Sequence, residues 1–134
     1  MTDRIAVRAL RGATTIAAGE QPIADAARVA TQELLQAMLH ENALTVDDVV
    51  SALFTITPDL YGAAPARAAR EAGWQDVAML TASEAPSEHS LAHCIRVMLH
   101  VETTRPRAGL RHQYLRGATV LRPDLAPGTD DSAH

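Results

Sequence analysis

An apolar, strand-like run with an arginine near its centre constrains the fold of this chain more than any other segment. The run covers residues 91–101 and carries Arg96. Side chains alternate between the two faces of a strand, which predicts one apolar row of Ile95, Val97, Leu99 and Val101. The opposite row consists of Cys94, Arg96, Met98 and His100. Because a guanidinium keeps its proton, Arg96 needs an acceptor, which is either a carboxylate of the protein or an anionic ligand.

Composition limits the class of protein. A chain of 134 residues with 3% aromatic residues predicts one domain with a modest core of Ala, Val, Leu and Ile. All twelve basic residues are arginines, and the net charge is -4. Arginine is suited to carboxylate and phosphate ligands, but a net negative chain argues against a nucleic-acid surface.

Location is predicted from what the sequence lacks. Cys94 is the single cysteine, so no intrachain disulfide can form. Residues 1–4 lack the apolar region of a signal peptide, and no apolar run approaches membrane-spanning length. We therefore expect a cytoplasmic protein with neither a membrane nor a nucleic acid as partner.

The first half of the chain predicts a strand, a long helix and a second strand. Residues 4–11 alternate, with Ile5, Val7 and Ala9 on an apolar face, and residues 12–15 are expected to end this strand. If the alternation continues, Arg11 lies on that apolar face and points away from solvent. Pro22 starts a helix whose apolar stripe continues to about His40. Residues 49–57 are rich in β-branched and apolar side chains, which favours a second strand.

The second half predicts shorter elements. A short helix starts at Pro65 and stops at Gly73, a third strand covers residues 77–80, and residues 83–90 form a polar loop. After the Arg96 strand we expect a short helix or 3₁₀ turn at residues 110–115 and a final strand at residues 118–121. The fold class is therefore α/β or α+β, a single domain with a mixed sheet covered by one long helix and short helices.

Familiar catalytic and metal motifs are missing from the sequence. There is no glycine-rich phosphate loop, nucleophile elbow or Cys-x-x-Cys pair. His89 and His93 have helical i, i+4 spacing, but their segment leads directly into a strand and offers no third ligand, so we expect no metal site. Cys94 is expected to pack within its strand rather than react.

Seven collinear segments resemble the monofunctional bacterial chorismate mutases of the AroH type. They are residues 10–15, 57–60, 65–71, 73–75, 94–98, 111–115 and 120–125, in the family's order and at its spacing. The resemblance covers about Arg4 to Leu125. It implies a chorismate-mutase-like domain at residues 1–125, and the Pro, Gly, Asp and Ser residues that follow predict a flexible tail at residues 126–134.

The resemblance implies a homotrimer that forms a pseudo-α/β-barrel, with active sites at the subunit interfaces. It also implies conversion of the chorismate dianion to prephenate, on the route to phenylalanine and tyrosine, without a cofactor. A non-catalytic trimer that binds a small carboxylate metabolite is the alternative. Trimeric imine deaminases of related architecture are a third option, but their motifs are not found here.

The family's catalytic residues correspond to four positions of this chain. Arg96 resembles the cation beside the ether oxygen of the breaking C–O bond. Arg11 resembles the arginine that binds a substrate carboxylate, and Tyr114 resembles its hydrogen-bonding partner. Glu84 resembles the carboxylate that accepts a hydrogen bond from the ring hydroxyl.

Further positions correspond to the family's substrate-binding residues, which are Ala64, Ala66, Arg67, Arg70, Thr81, Leu121 and Arg122. By resemblance, Arg70 and Arg122 lie at the mouth, and Leu121 packs on the ligand. Three positions depart from the family pattern, since Thr81 replaces a cysteine, Ala64 an aromatic residue and Arg67 a lysine. We expect these departures to affect affinity more than chemistry.

Overall fold

Five strands form one mixed sheet in the computed structural model, which describes residues 4–122. They are β1 (Ala6–Thr15), β2 (Val49–Ile56), β3 (Ala78–Ser83), β4 (Cys94–Thr103) and β5 (Gln113–Tyr114). The spatial order is β3-β2-β4-β1-β5. β4 pairs antiparallel with β1 and β2, whereas β2–β3 and β1–β5 are parallel. The predicted α+β domain with a mixed sheet is confirmed.

Helices α1 (Ile23–Glu41) and α2 (Pro65–Glu71) accompany the sheet. α1 buries one stripe, formed by Ala27, Ala30, Thr31, Leu34, Leu35 and Met38. Short 3₁₀ turns occupy Val46–Asp48, Arg107–Gly109 and Arg116–Leu121. Within residues 4–122, no helix is long and apolar enough to span a membrane.

The strand β1 continues through residues 12–15, where the sequence predicted its end. The reason lies in the packing of α1 against the sheet. A Cβ atom at Gly12 would lie 2.5 Å from Met38 Sδ and 3.1 Å from Leu34 Cδ1. Gly12 therefore allows a close approach between β1 and α1 and does not mark a turn.

Two predictions near the end of the described chain are wrong, and tertiary contacts explain both. Gln113–Tyr114 is extended because it pairs with the edge of β1, and the Leu115 amide donates to Ala13 O at 2.9 Å. Arg116–Leu121 is a 3₁₀ turn and not a strand, since the Gly117 amide donates to Thr15 Oγ1 at 3.0 Å. Leu125 and the predicted tail at residues 126–134 lie outside the described residues.

The two faces of the sheet have different surroundings. Ile95, Val97, Leu99 and Val101 are at most 3% exposed and belong to the core on the helix side, as the alternation of β4 predicts. The other face, here called the open face, carries exposed apolar side chains, with Ile5 at 68%, Val7 at 58%, Leu53 at 43%, Leu80 at 72% and Met98 at 36%.

For β1, the sequence predicts that the row of Ile5 and Val7 is the apolar one and that Arg11, in the same row, points away from solvent. The structure corrects this expectation. α1 covers the opposite row, where Leu10 and Thr14 are fully buried. Arg11 therefore lies on the open face with Ile5 and Val7, directly across from Met98 of β4.

Candidate active site

A cleft of about 250 Å³ lies on the open face of the sheet. Its lining includes all four predicted catalytic residues, which are Arg11, Glu84, Arg96 and Tyr114. Leu53, Thr55 and Met98 also line it. A single chain thus brings together two guanidinium groups, a carboxylate and a phenol on a partly apolar floor.

Strand register explains this grouping, because residues paired across a sheet share a face. Arg96 of β4 pairs with Thr55 of β2 and with Ala13 of β1, and Ala13 in turn pairs with Tyr114 of β5. The small side chain of Ala13 separates the larger ones. One row of the open face therefore runs from Thr55 through Arg96 and Ala13 to Tyr114.

The next row of the open face supplies the second arginine and the apolar floor. Leu53 of β2 pairs with Met98 of β4, which pairs with Arg11 of β1. The two rows are neighbours because Arg96 and Met98, like Thr55 and Leu53, are two residues apart on the same strand. Arg11 and Arg96 consequently project from the same face in adjacent rows.

Glu84 is attached to the end of β2. Its amide donates to Ile56 O at 2.8 Å, and its Oε1 accepts a hydrogen bond from Thr55 Oγ1 at 2.9 Å. The same Oε1 lies 3.3 Å from Arg96 Nε. This distance makes an ion pair, yet the buried Nε has no acceptor with hydrogen-bond geometry among residues 4–122. The Glu84 carboxylate therefore accepts a hydrogen bond from Thr55, whereas its contact with Arg96 Nε is an ion pair without a hydrogen bond.

Arg11 is fixed through its backbone. Its amide donates to His112 Nδ1 at 3.0 Å, which requires an unprotonated Nδ1. Burial lowers the pKa of His112, and the positive charges of Arg11 and Arg122 lower it further. His112 is thus held neutral, and its surroundings place Arg122 near the Arg11 end of the cleft.

Tyr114 and Cys94 belong to a small apolar cluster beside the cleft. Tyr114 is 6% exposed and Cys94 is 1% exposed, and both pack with Ala13 and Ala118, against which Leu91 and Leu121 lie. Burial raises the pKa of the Cys94 thiol, although the nearby Arg96 opposes the effect. Cys94 is consequently a buried, packed thiol. Leu121, one of the predicted substrate-binding residues, packs against the same cluster as Tyr114.

Most of the remaining predicted residues lie elsewhere in the chain. Ala64, Ala66, Arg67 and Arg70 belong to α2 or its N-cap, on the helix side of the sheet. Ala64 and Arg67 line a separate cleft of about 260 Å³ between α1 and α2, where Arg67 Nε donates to Glu71 Oε1 at 3.1 Å. These residues do not reach the open-face cleft of their own chain.

Thr81 also belongs to the helix side. It pairs with Phe54 of β2, and Phe54 is fully buried in the core under the helices. Because paired residues share a face, Thr81 points away from the face of Arg96. The predicted substrate-binding residues of one chain thus form two groups on opposite faces of its sheet.

Sequence reasoning missed Thr55 and His112 as residues of the site. Thr55 follows the period-2 pattern of its strand, but only the register shows that it faces Arg96 and Glu84. His112 lies two residues before Tyr114 in the segment 111–115, and only the three-dimensional structure reveals its contact with Arg11. Within residues 4–122, no group of three or more His, Cys, Asp or Glu side chains is placed to hold a metal ion.

Comparisons with known proteins agree on one family. The family model described as chorismate mutase type I matches residues 7–125. The chain is 40% identical over 121 residues to chorismate mutase AroH of Bacillus subtilis (strain 168), covering 90% of this chain and 93% of that protein. It is 42% identical over 120 residues to chorismate mutase AroH of Thermus thermophilus, covering 89% and 96%. A solved chorismate mutase from Clostridium thermocellum matches with a TM-score of 0.78 and 42% identity, covering 84% of this chain and 98% of that one.

Proposed function

This chain belongs to the chorismate mutase type I family, and we propose that it converts chorismate to prephenate in sites that two protomers complete. The enzyme is an isomerase that supplies aromatic amino acid biosynthesis. One observation carries the assignment of the site. Arg96, Glu84, Arg11 and Tyr114 line one cleft on the open face.

The chemistry is an intramolecular Claisen rearrangement, which needs no proton transfer and no covalent enzyme intermediate. The C–O bond breaks ahead of C–C bond formation, so partial negative charge develops on the ether oxygen. We assign Arg96 to this oxygen. Because the charge is larger in the transition state than in bound chorismate, a guanidinium already in place accelerates the reaction more than it tightens binding.

The other residues of the cleft bind and orient the substrate. Arg11 suits a carboxylate of the dianion, with the Tyr114 phenol as a second donor. Glu84 is suited to accept from the ring hydroxyl through the oxygen that Thr55 leaves available. Leu53 and Met98 provide an apolar floor for the ring. Holding the flexible side chain over the ring reduces the entropy that the reaction must lose.

We further propose that a neighbouring protomer contributes the second group of residues. The open face exposes Ile5, Val7, Leu53 and Leu80, which favours burial of this face against other copies. Thr81 and the α2 residues lie on the opposite side, from which they can reach only another chain's cleft. A cyclic homotrimer closed as a pseudo-barrel satisfies both observations. We place this trimer in the cytoplasm, where the Cys94 thiol stays reduced.

Incubation of the purified protein with chorismate tests the activity directly. We expect the diene absorbance of chorismate to decay and prephenate to accumulate, with Arg96→Ala as the inactive control. A folded wild-type protein that binds chorismate without consuming it would favour the non-catalytic binder.

Mixing two inactive variants tests the shared site. Arg96→Ala damages the open-face group, whereas Arg70→Ala damages the α2 group. After the variants are unfolded together and refolded as a mixture, about a quarter of the sites in randomly assembled cyclic trimers should hold both native groups. Activity well above that of either variant alone is expected. No recovery in trimers shown to contain both chains would contradict a site between protomers.

A further inference from the structure

We propose that Thr55 is a positioning residue that directs the Glu84 carboxylate and keeps its ion pair with Arg96 from becoming a forked, hydrogen-bonded pair. The inference rests on the proposed function of the open-face cleft. Thr55 would influence the reaction indirectly, through its effect on Glu84. Thr55 is in the middle of the site because β2 pairs it with Arg96 of β4 on one side and with Ala82 of β3 on the other.

Two successive residues of β2 hold Glu84. Ile56 O accepts from the Glu84 amide at 2.8 Å, which fixes the backbone. Thr55 Oγ1 donates to Glu84 Oε1 at 2.9 Å, which fixes the rotation of the carboxylate. Oε2 is then left for another donor, and the ring hydroxyl of the substrate is such a donor.

Arg96 competes for the same oxygen. Its Nε lies 3.3 Å from Glu84 Oε1, but the contact lacks hydrogen-bond geometry. Arginine and carboxylate normally prefer a forked pair with two parallel N–H···O bonds. Such a fork would occupy the guanidinium donors and offset the positive charge that the ether oxygen requires. The Thr55 hydroxyl occupies Oε1 and so favours the open arrangement.

The role predicts a specific kinetic defect. Without the hydroxyl, Glu84 is free to rotate onto Arg96, and the substrate must displace that pair before the reactive geometry forms. Thr55→Val keeps the shape of the side chain and removes the donor. We expect kcat to fall about tenfold or more, as for the loss of one hydrogen bond to a charged group. KM should change less.

Two variants serve as controls. Thr55→Ser keeps the donor and should restore kcat to within a few-fold of wild type. Ser51→Ala removes a hydroxyl from the same face of the same strand, where Ser51 Oγ lies 3.1 Å from His100 Nδ1 and outside the cleft lining. Its kcat should match wild type. If Thr55→Val fails to fold, Thr55→Ala carries the same expectation.

A double-mutant cycle with Glu84→Gln separates positioning from a general structural role. Because Thr55 acts through the Glu84 charge, Thr55→Val should cost little when Glu84→Gln is already present. An equal loss in both backgrounds, or a normal kcat in Thr55→Val, would overturn the role of Thr55 alone. A wild-type protein that does not convert chorismate would overturn this inference together with the proposed function.

Discussion

Replacement of Arg96 by lysine separates the shape of the catalytic cation from its charge. The guanidinium lines the open-face cleft, with its buried Nε 3.3 Å from Glu84 Oε1. Lysine retains one positive charge but concentrates it on a single ammonium at the end of a flexible stem. That ammonium can pair with Glu84 or approach the ether oxygen, and it cannot present a fixed fork to both.

The expected loss follows from comparison with other prepositioned donors. Removing one such donor from a developing oxyanion costs about 3–4 kcal/mol, which corresponds to roughly 10²–10³ in kcat. The free energy of unfolding should change far less. The Arg96 and Glu84 side chains are 43% and 29% exposed, and exposed ion pairs contribute about 1 kcal/mol or less.

Three measurements on Arg96→Lys check this reasoning, namely steady-state kinetics with chorismate, urea unfolding and oligomer size. Arg105→Lys is a matched control, because Arg105 follows β4 and donates to Gly109 O outside the cleft. It should keep wild-type kcat. An Arg96→Lys enzyme with kcat within a few-fold of wild type and an unchanged oligomer would refute the role of the guanidinium.

Two other predictions concern binding and acid stability. Arg11→Ala should raise KM for chorismate more than it lowers kcat, since the carboxylate that we propose Arg11 binds is present in both substrate and transition state; an unchanged KM would argue against this role. The free energy of unfolding should fall as the pH drops below 6.5, the ordinary pKa of a histidine. Burial and the charges of Arg11 and Arg122 lower the pKa of His112 in the folded protein. As the pH falls, the unfolded chain therefore binds the proton first, and the stability that is present above pH 6.5 is lost. The urea midpoint of the wild type should decrease as the pH is lowered through this range. His112→Asn keeps an acceptor for the Arg11 amide, and its midpoint should depend less on pH. An equal pH dependence in the two proteins would exclude His112 as the cause.

The alternation of β1 and β4 was enough to predict which residues share a face. For β4 it also predicted the buried face, but for β1 it did not predict which face the helices cover. For β1 the more apolar-looking row of Ile5 and Val7 is open, while Leu10 and Thr14 lie under α1. Period 2 defines two faces, but the choice between them depends on where α1 packs, and that depends on the small Gly12.

Local pattern also failed where an edge strand decides the structure. Gln113 and Tyr114 are extended because β1 offers an unpaired edge, which no neighbouring residue in the sequence reveals. The position of Thr55 has the same origin, since its contact with Glu84 spans 29 residues of chain. The family resemblance predicted the roles of four residues, Arg11, Glu84, Arg96 and Tyr114. That they line one cleft follows from the register of the strands, which the sequence does not reveal.

The charges that line the open-face cleft of one chain support the proposal that a second protomer completes the site. Arg11 and Arg96 outweigh Glu84 by one positive charge in the cleft, whereas chorismate carries two carboxylates. Arg122 lies toward the Arg11 end of the cleft, and in the proposed trimer Arg70 of α2 is contributed by another chain. A dianion bound between these groups would therefore be stabilised by two protomers at once. In the proposed trimer, substrate binding and subunit association must consequently be linked, because a ligand that binds only the assembled site stabilises the assembly by mass action.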